Sequence, residues 1–293
     1  MEIFVTGASG YIGGAVSRIL LEKGHTVSGL ARSEEAAAKL GASGVMPVRG
    51  GLDDTGALAE AAARSDATVH AAMQWGEEAG ARDERTVATL IRALSGSNKP
   101  LVYTSGVWLM GDTQGRVAGE MFPVRPPAML SWRPAVERTV QDARQYGVRG
   151  VVLRPAMVYG RGGGLLGMML RQARERGVLQ LPGTGENHWS FVHVDDLAAL
   201  YHLALDRAAA GTLYLAAHGT AVAARTVAEM AAKAAGAPAR VEFVSVDTAR
   251  ATMGTMADCL VLDQKILSTK AARELGWKPC GPGVLQALAA GTA

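Results

Sequence analysis

Thr6-Gly7-Ala8-Ser9-Gly10-Tyr11-Ile12-Gly13 follows a short apolar run, Ile3-Phe4-Val5, and precedes an amphipathic stretch carrying Val16, Ile19 and Leu20. This placement constrains the chain more than any other feature. Gly7 permits a tight strand-to-helix turn, Gly10 lets the backbone approach phosphates closely, and Gly13 lets the helix pack against a sheet. The helix start then offers free N–H groups and a positive dipole end to a pyrophosphate. With 36 glycines in 293 residues such spacing can arise by chance. A second strand at His25–Leu30 closes a βαβ unit around it, however, and that context lifts the motif. The chain is expected to bind a dinucleotide.

Strand and helix signals alternate through the first half. A helix at Glu34–Leu40 is followed by a strand at Val45–Val48, a helix at Gly56–Ala63 and a strand at Ala67–Ala71. A longer helix, Ala81–Leu94, precedes the strand Leu101–Thr104, and the helix Ala135–Tyr146 leads to a sixth strand at Val151–Leu153. Apolar strands separated by helices predict an α/β fold, a Rossmann-type doubly wound parallel sheet with helices on both faces. After Gly160 the rhythm loosens. The turn Arg161–Gly164, a helix through Met168–Arg176 and the loop Pro182–His188 come before a strand-to-helix junction at Phe191–Asp196. Asp195 is the expected N-cap there. The last 80 residues read as two or three helices and one strand, Val241–Val244. The expected division is a dinucleotide-binding domain at 1–160, with later contributions from about 190–217, and a smaller substrate lobe at 161–293.

Composition narrows the classes. The chain is 48% hydrophobic and 19% charged with a net charge of +3, which describes a globular protein. Its basic residues are dispersed, so no nucleic-acid footprint is read. Cys259 and Cys280 are expected as free thiols, and His188 and His193 lack ligand partners at metal-binding spacing, so no metal is expected. A strand beginning at residue 2 leaves no room for a signal peptide, and no apolar run spans a membrane. The expected compartment is the cytoplasm.

Five segments together resemble the extended short-chain dehydrogenase/reductase family, in its NAD(P)-dependent epimerase/dehydratase branch. They are Thr6–Gly13, His70-Ala71-Ala72, Leu101–Gly111, Arg154–Gly160 and Phe191–Asp196, in the family's order over about two thirds of the chain. The resemblance implies a nicotinamide cofactor held by Gly7, Ser9, Gly10, Tyr11, Ile12, Gly13, Arg32, Ser33, Leu52, Ala71, Ala72, Met73, Arg133, Pro155 and Val158. It also implies a homodimer through the helices Ala81–Leu94 and Ala135–Tyr146. Arg32-Ser33 follows the second strand, where an acidic residue would read the ribose of NAD. A cation there suits a 2′-phosphate, so NADP is the expected cofactor.

The resemblance breaks at the catalytic Ser-Tyr-Lys set. Aligned on Met110-Gly111, the Ser or Thr position holds Gly106; aligned on Glu137, the Tyr and Lys positions hold Met129 and Arg133. No tyrosine lies between residues 104 and 145. Methionine exchanges no proton and arginine stays protonated, so the usual relay is absent. Three residues are candidates for what remains: Ser105, one position before the expected hydroxyl; Arg133, placing charge near a reacting group; and Tyr159, the only phenol nearby in a family motif. Ser105 as a buried core serine, Arg133 as a helix-start surface residue and Tyr159 as packing are the competing readings. Trp189 stands where sugar-nucleotide members often carry an arginine for the substrate pyrophosphate. With Trp108, Met110, Met129, Trp132 and Met157 it suggests an apolar, adaptable cleft.

These readings converge on an NADP-dependent reductase of a small, largely apolar molecule. Because the phenol is missing, reduction of a C=N or activated C=C bond is the narrower expectation. A non-catalytic NADP-binding protein, or a lyase, epimerase or cyclase without net redox turnover, fits the same sequence.

Overall fold

Ile3, Phe4 and Val5 have no accessible surface, and this is why Glu2–Thr6 forms the centre of a sheet rather than an edge. A strand apolar on both sides needs cover on both faces. In the computed structural model, which describes residues 1–236 and 240–293, seven parallel strands supply that setting. Across the sheet they run Thr212–Ala216, Arg149–Pro155, Pro100–Thr104, Ala67–His70, Glu2–Thr6, Thr26–Ala31 and Met46–Arg49. The chain reverses its direction of growth between Glu2–Thr6 and Ala67–His70, and a crevice opens at such a switch point beyond the carboxyl ends of the strands.

The helices Tyr11–Glu22 and Val194–Arg207 bury Val16, Leu20, Leu197 and Tyr201 on one face. Thr55–Arg64, Ala79–Leu94 and Arg133–Asp142 bury Leu58, Leu90 and Val136 on the other. Ser33 and Asp54 cap their helices, accepting from the Ala36 and Ala57 amides at 3.1 and 3.0 Å. The expected Ala135–Tyr146 helix begins at Arg133, with Pro134 in its first turn, and tightens into a 3₁₀ turn at Ala143–Tyr146.

Later segments depart further from expectation. The loop expected at Pro182–His188 is flanked closely by strands Val178–Pro182 and His188–His193. Among the described residues the last 80 hold five helices, Ala224–Ala234, Val246–Met253, Met256–Leu260, Thr269–Leu275 and Val284–Ala290, not two or three. They are short, so their apolar period is cut off before it becomes legible. The N-cap of Val194–Arg207 is His193, whose Nδ1 accepts from the Asp195 amide at 3.3 Å. Asp195 instead pairs with Arg18 at 2.6 Å and Arg161 at 2.8 Å, and Asp196 accepts from the Cys280 and Gly281 amides. The Phe191–Asp196 motif thus ties the far C-terminal segment to the sheet.

One buried ion pair braces the helix that carries Arg133. Arg154 donates to both Glu137 oxygens, at 2.8 and 2.5 Å, with both side chains almost fully enclosed. Removing one partner leaves the other as an unpaired buried charge. Glu137→Ala is therefore expected to cost about 3–5 kcal/mol of unfolding free energy in urea titrations, and Glu137→Met with Arg154→Met to recover most of it. A loss below about 1 kcal/mol for Glu137→Ala would place the pair with exposed ones.

Candidate active site

The crevice is built from four turns that leave the sheet at its carboxyl edge. Tyr11-Ile12, Ala71–Met73, Ser105–Leu109 and Pro155–Val158 line a cavity of about 380 Å³, with Leu130, Arg133, Leu165, Met168 and Met256 closing its far side.

The glycine turn meets the geometric demands of a phosphate cradle. Gly7 has φ +75°, and a Cβ there would stand 2.8 Å from the Ala71 and Ala72 backbone. A Cβ at Gly13 would come within 2.2 Å of the Gly7 carbonyl oxygen, so the helix sits directly on the turn. No side chain caps Tyr11–Glu22 and its first turn holds no acidic residue, which leaves the helix N-terminus available to an anion. Ser9 gives its carbonyl to Lys39 Nζ at 2.9 Å, beside that terminus. At the other end of the groove Arg32 and Ser33 are exposed after Thr26–Ala31, with Arg32 near Gly51 and Leu52 half-buried beyond it. Ser33 is already engaged as a cap, whereas Arg32 has no ion-pair partner among the described residues. These residues fit a dinucleotide.

A buried polar chain runs under the cradle. Tyr103 donates to one Asp83 oxygen at 2.5 Å, and His70 Nε2 meets the other at 3.0 Å. Burial alone would raise the Asp83 carboxyl. The bonds from His70 and Tyr103 outweigh it and hold the group below the ordinary carboxylate range. An ionised Asp83 requires a proton on His70 Nε2, and Nδ1 lies 2.6 Å from the Thr6 hydroxyl. The same Thr6 oxygen accepts from the Ala72 amide at 3.3 Å. The chain thereby fixes the Ala71-Ala72 turn against the first strand. Sequence reading singled out His70 only as part of a motif, because Asp83 and Tyr103 reach it from a helix and a strand far along the chain.

The candidate catalytic residues separate. Ser105 and Arg133 both line the cavity, with 5% and 9% of their surfaces exposed. Ser105 Oγ and Arg133 Nε are buried, and neither has a hydrogen-bond partner among the described residues. The strand ends at Thr104, so its alternation no longer governs Ser105, and both Ser105 and Gly106 reach the wall. Arg133 stacks over the Trp132 ring at 4.8 Å and its charge reaches Asp83. Among the described residues no carboxylate pairs with it directly, since Asp83 is bonded by His70 and Tyr103 and Glu137 by Arg154, and the Asp83 charge acts on it only through space. Tyr159 does not join them. It is 1% exposed, donates its hydroxyl to the Pro282 carbonyl, and burial followed by the Asp196 charge pushes its pKa up to about 12.

The apolar candidates separate as well. Trp108 and Met157 line the cavity. Met110 is fully buried in the sheet core. Met129 turns away, its sulfur 3.6 Å from Cys259 Sγ, and its neighbour Leu130 takes the wall position. Trp132 packs over Gly80 and donates to the Met129 carbonyl at 3.1 Å. Trp189 lies in a hydrophobic cluster with Tyr159, Phe191 and Leu260, donating to the Leu260 carbonyl at 3.0 Å. Each of these four has a packing or hydrogen-bonding duty that holds it off the cavity. Trp75, Leu165, Met168 and Met256 line it without having been singled out. Only the exposure of Trp75 and Met168 distinguishes them from core residues, and exposure is invisible in sequence.

Both cysteines are free; burial pushes the Cys259 thiol up to about 12, and Cys280 is exposed. His188 pairs with Asp263 at 2.9 Å, and among the described residues no three potential ligands converge on a metal position. No described helix is long and apolar enough to cross a membrane.

A parallel seven-stranded sheet, a glycine turn feeding an uncapped helix, and a cavity at the switch point define the class of Rossmann-fold dinucleotide-binding proteins. Residues 3–217 match the family model of the NAD dependent epimerase/dehydratase family, and the chain belongs to that family. An uncharacterized protein of Schizosaccharomyces pombe is 35% identical over 99% of this chain and 98% of its own length. The 2-alkyl-3-oxoalkanoate reductase of Stenotrophomonas maltophilia is 29% identical over 85% of this chain and 80% of its length. The Thermus thermophilus UDP-glucose 4-epimerase, solved with NAD, superposes with a TM-score of 0.80 at 22% identity, over 99% of each chain, and shares the fold.

Proposed function

We propose that this protein is an NADP-dependent reductase of a small, largely apolar substrate whose negative charge develops on oxygen: a ketone, or an alkene conjugated to a carbonyl. The observation that carries this reading is the pair of buried, unpartnered polar groups, Ser105 Oγ and Arg133 Nε, on the wall of an otherwise apolar cavity beside the cradle. Buried polar groups without partners are costly, and a substrate oxygen accepting from both removes that cost. When bound, the cofactor supplies hydride to the electrophilic carbon. Arg133 stabilises the oxyanion that forms, Ser105 donates to it and passes on a proton, and water at the open mouth near Trp75 returns that proton to Ser105. In this reading the residues after about 160 form the substrate lobe.

Arg133 also bears on the C=N expectation. An iminium carbon needs no acid, but it would bring a second positive charge beside a guanidinium that no carboxylate pairs with directly. The unpaired cation therefore favours an oxyanion-forming substrate over a C=N one. The reductase name of a relative at 29% identity supports the same direction. The test is NADPH consumption by the wild type against matched ketones, enones and cyclic imines. Turnover of imines alone would overturn the oxygen-centred reading. Tight NADPH binding with no turnover of any substrate in the panel would favour a non-catalytic binder.

The NADP preference rests on Arg32, exposed beyond the second strand where no acidic residue stands. Arg32→Glu is expected to weaken NADPH binding about 10- to 100-fold through loss of a charge-assisted contact, and NADH binding much less. Calorimetry giving equal affinities for the two cofactors in the wild type would remove this assignment. The family resemblance further supports a homodimer through the helices expected at Ala81–Leu94 and Ala135–Tyr146.

A further inference from the structure

The cavity that holds Ser105 and Arg133 shares part of its wall with a neighbour. Leu165, Met168 and Met256 line it and also line a second cavity of about 410 Å³. The floor of that second space is apolar, with Leu181 and Trp189 buried against it and the indole N–H already donated to Leu260. Its charged lining residues, Arg171, Glu175 and Arg176, are exposed and stand at the rim. Two of the three shared residues are methionines, whose unbranched side chains reshape easily around a ligand.

We infer that the two cavities form one bent site, and that the substrate carries an unbranched apolar tail running from the reacting carbon past Met168 and Met256 into the second cavity. The inference rests on the reading of the first cavity as the seat of the reacting carbon. Three shared lining residues, two of them adaptable methionines, set the second space directly beside the first, within reach of one molecule. An apolar floor with its indole donor engaged favours hydrocarbon there, the half-buried amides of Gln172 and Gln180 being the polar part of the inner wall. A phosphate-bearing tail would find no buried cation among the described residues there, since the arginines lie at the solvent edge.

The experiment is calorimetry of the NADPH complex with butanone, 2-hexanone, 2-octanone, 2-decanone and 2-dodecanone, alongside NADPH consumption with each. Affinity is expected to tighten about fourfold for each buried methylene, levelling off when the second cavity is filled. Met253→Trp and Thr252→Trp fill only that cavity, and Thr252 is exposed on its helix, so its replacement does not disturb the core. Both variants should bind butanone within twofold of wild type, lose at least tenfold for 2-dodecanone and reach the plateau at shorter ketones. Affinity that stays flat beyond 2-hexanone, or tryptophan variants that bind 2-dodecanone like wild type, would overturn the inference. Length-dependent binding without reduction would sink the reductase reading and leave the tail site standing. Reduction of short ketones without length dependence would do the reverse.

Discussion

Arg133→Met is expected to lower kcat for ketone or enone reduction by about 10²–10³-fold, the effect of removing one preorganised donor from an oxyanion. The methionine roughly matches the apolar stem of the arginine and keeps the contact with Trp132, so the fold is retained; what disappears is the cation. Arg133 lies on the cavity wall with an unpartnered Nε, and neither Asp83 nor Glu137 is bonded to it. Arg133→Lys keeps a charge but not the planar fork, and should recover only part of the rate. Because the family resemblance also places Arg133 near the nicotinamide ribose, the NADPH dissociation constant is measured in parallel. A fall in kcat with cofactor affinity held within a few fold supports the oxyanion role. An unchanged kcat, or a loss accounted for wholly by weaker NADPH binding, contradicts it.

Gly10→Val should abolish dinucleotide binding while leaving the circular dichroism and thermal transition close to wild type. Gly10 has φ −87° and ψ −179°, an extended conformation open to any residue, and a Cβ would meet only the Gly7 carbonyl, at 3.2 Å. The fold can accept that contact with a small shift. A branched side chain would nevertheless stand at the uncapped start of Tyr11–Glu22, in the space a pyrophosphate needs. Gly13 separates the two demands. Its Cβ would lie 2.2 Å from the Gly7 oxygen, so Gly13→Ala should destabilise the turn itself and lower the thermal midpoint. Folded Gly10→Val protein that still binds NADPH would show that the turn is not the cradle.

Sequence by itself determined the scaffold. Apolar runs such as Ile3–Val5 and Val151–Leu153, separated by amphipathic helices, fix a parallel sheet because a strand apolar on both sides must be covered on both. The glycine turn was equally legible, since each glycine answers a backbone requirement that acts within a few residues. Tertiary structure decided the site. Sequence placed Ser105 and Tyr159 together as catalytic candidates and Met129 on the substrate cleft. Only packing shows that Ser105 faces the cavity, that Tyr159 is held by Pro282, and that Met129 turns to Cys259. The same holds for Gln264, whose side chain pins the Val107–Gly111 turn from more than 150 residues away, at 2.8 Å to each carbonyl. Hydrophobic period and turn chemistry are local quantities. The side chain that a loop turns toward a crevice depends on contacts between segments distant in sequence, and no local pattern encodes those.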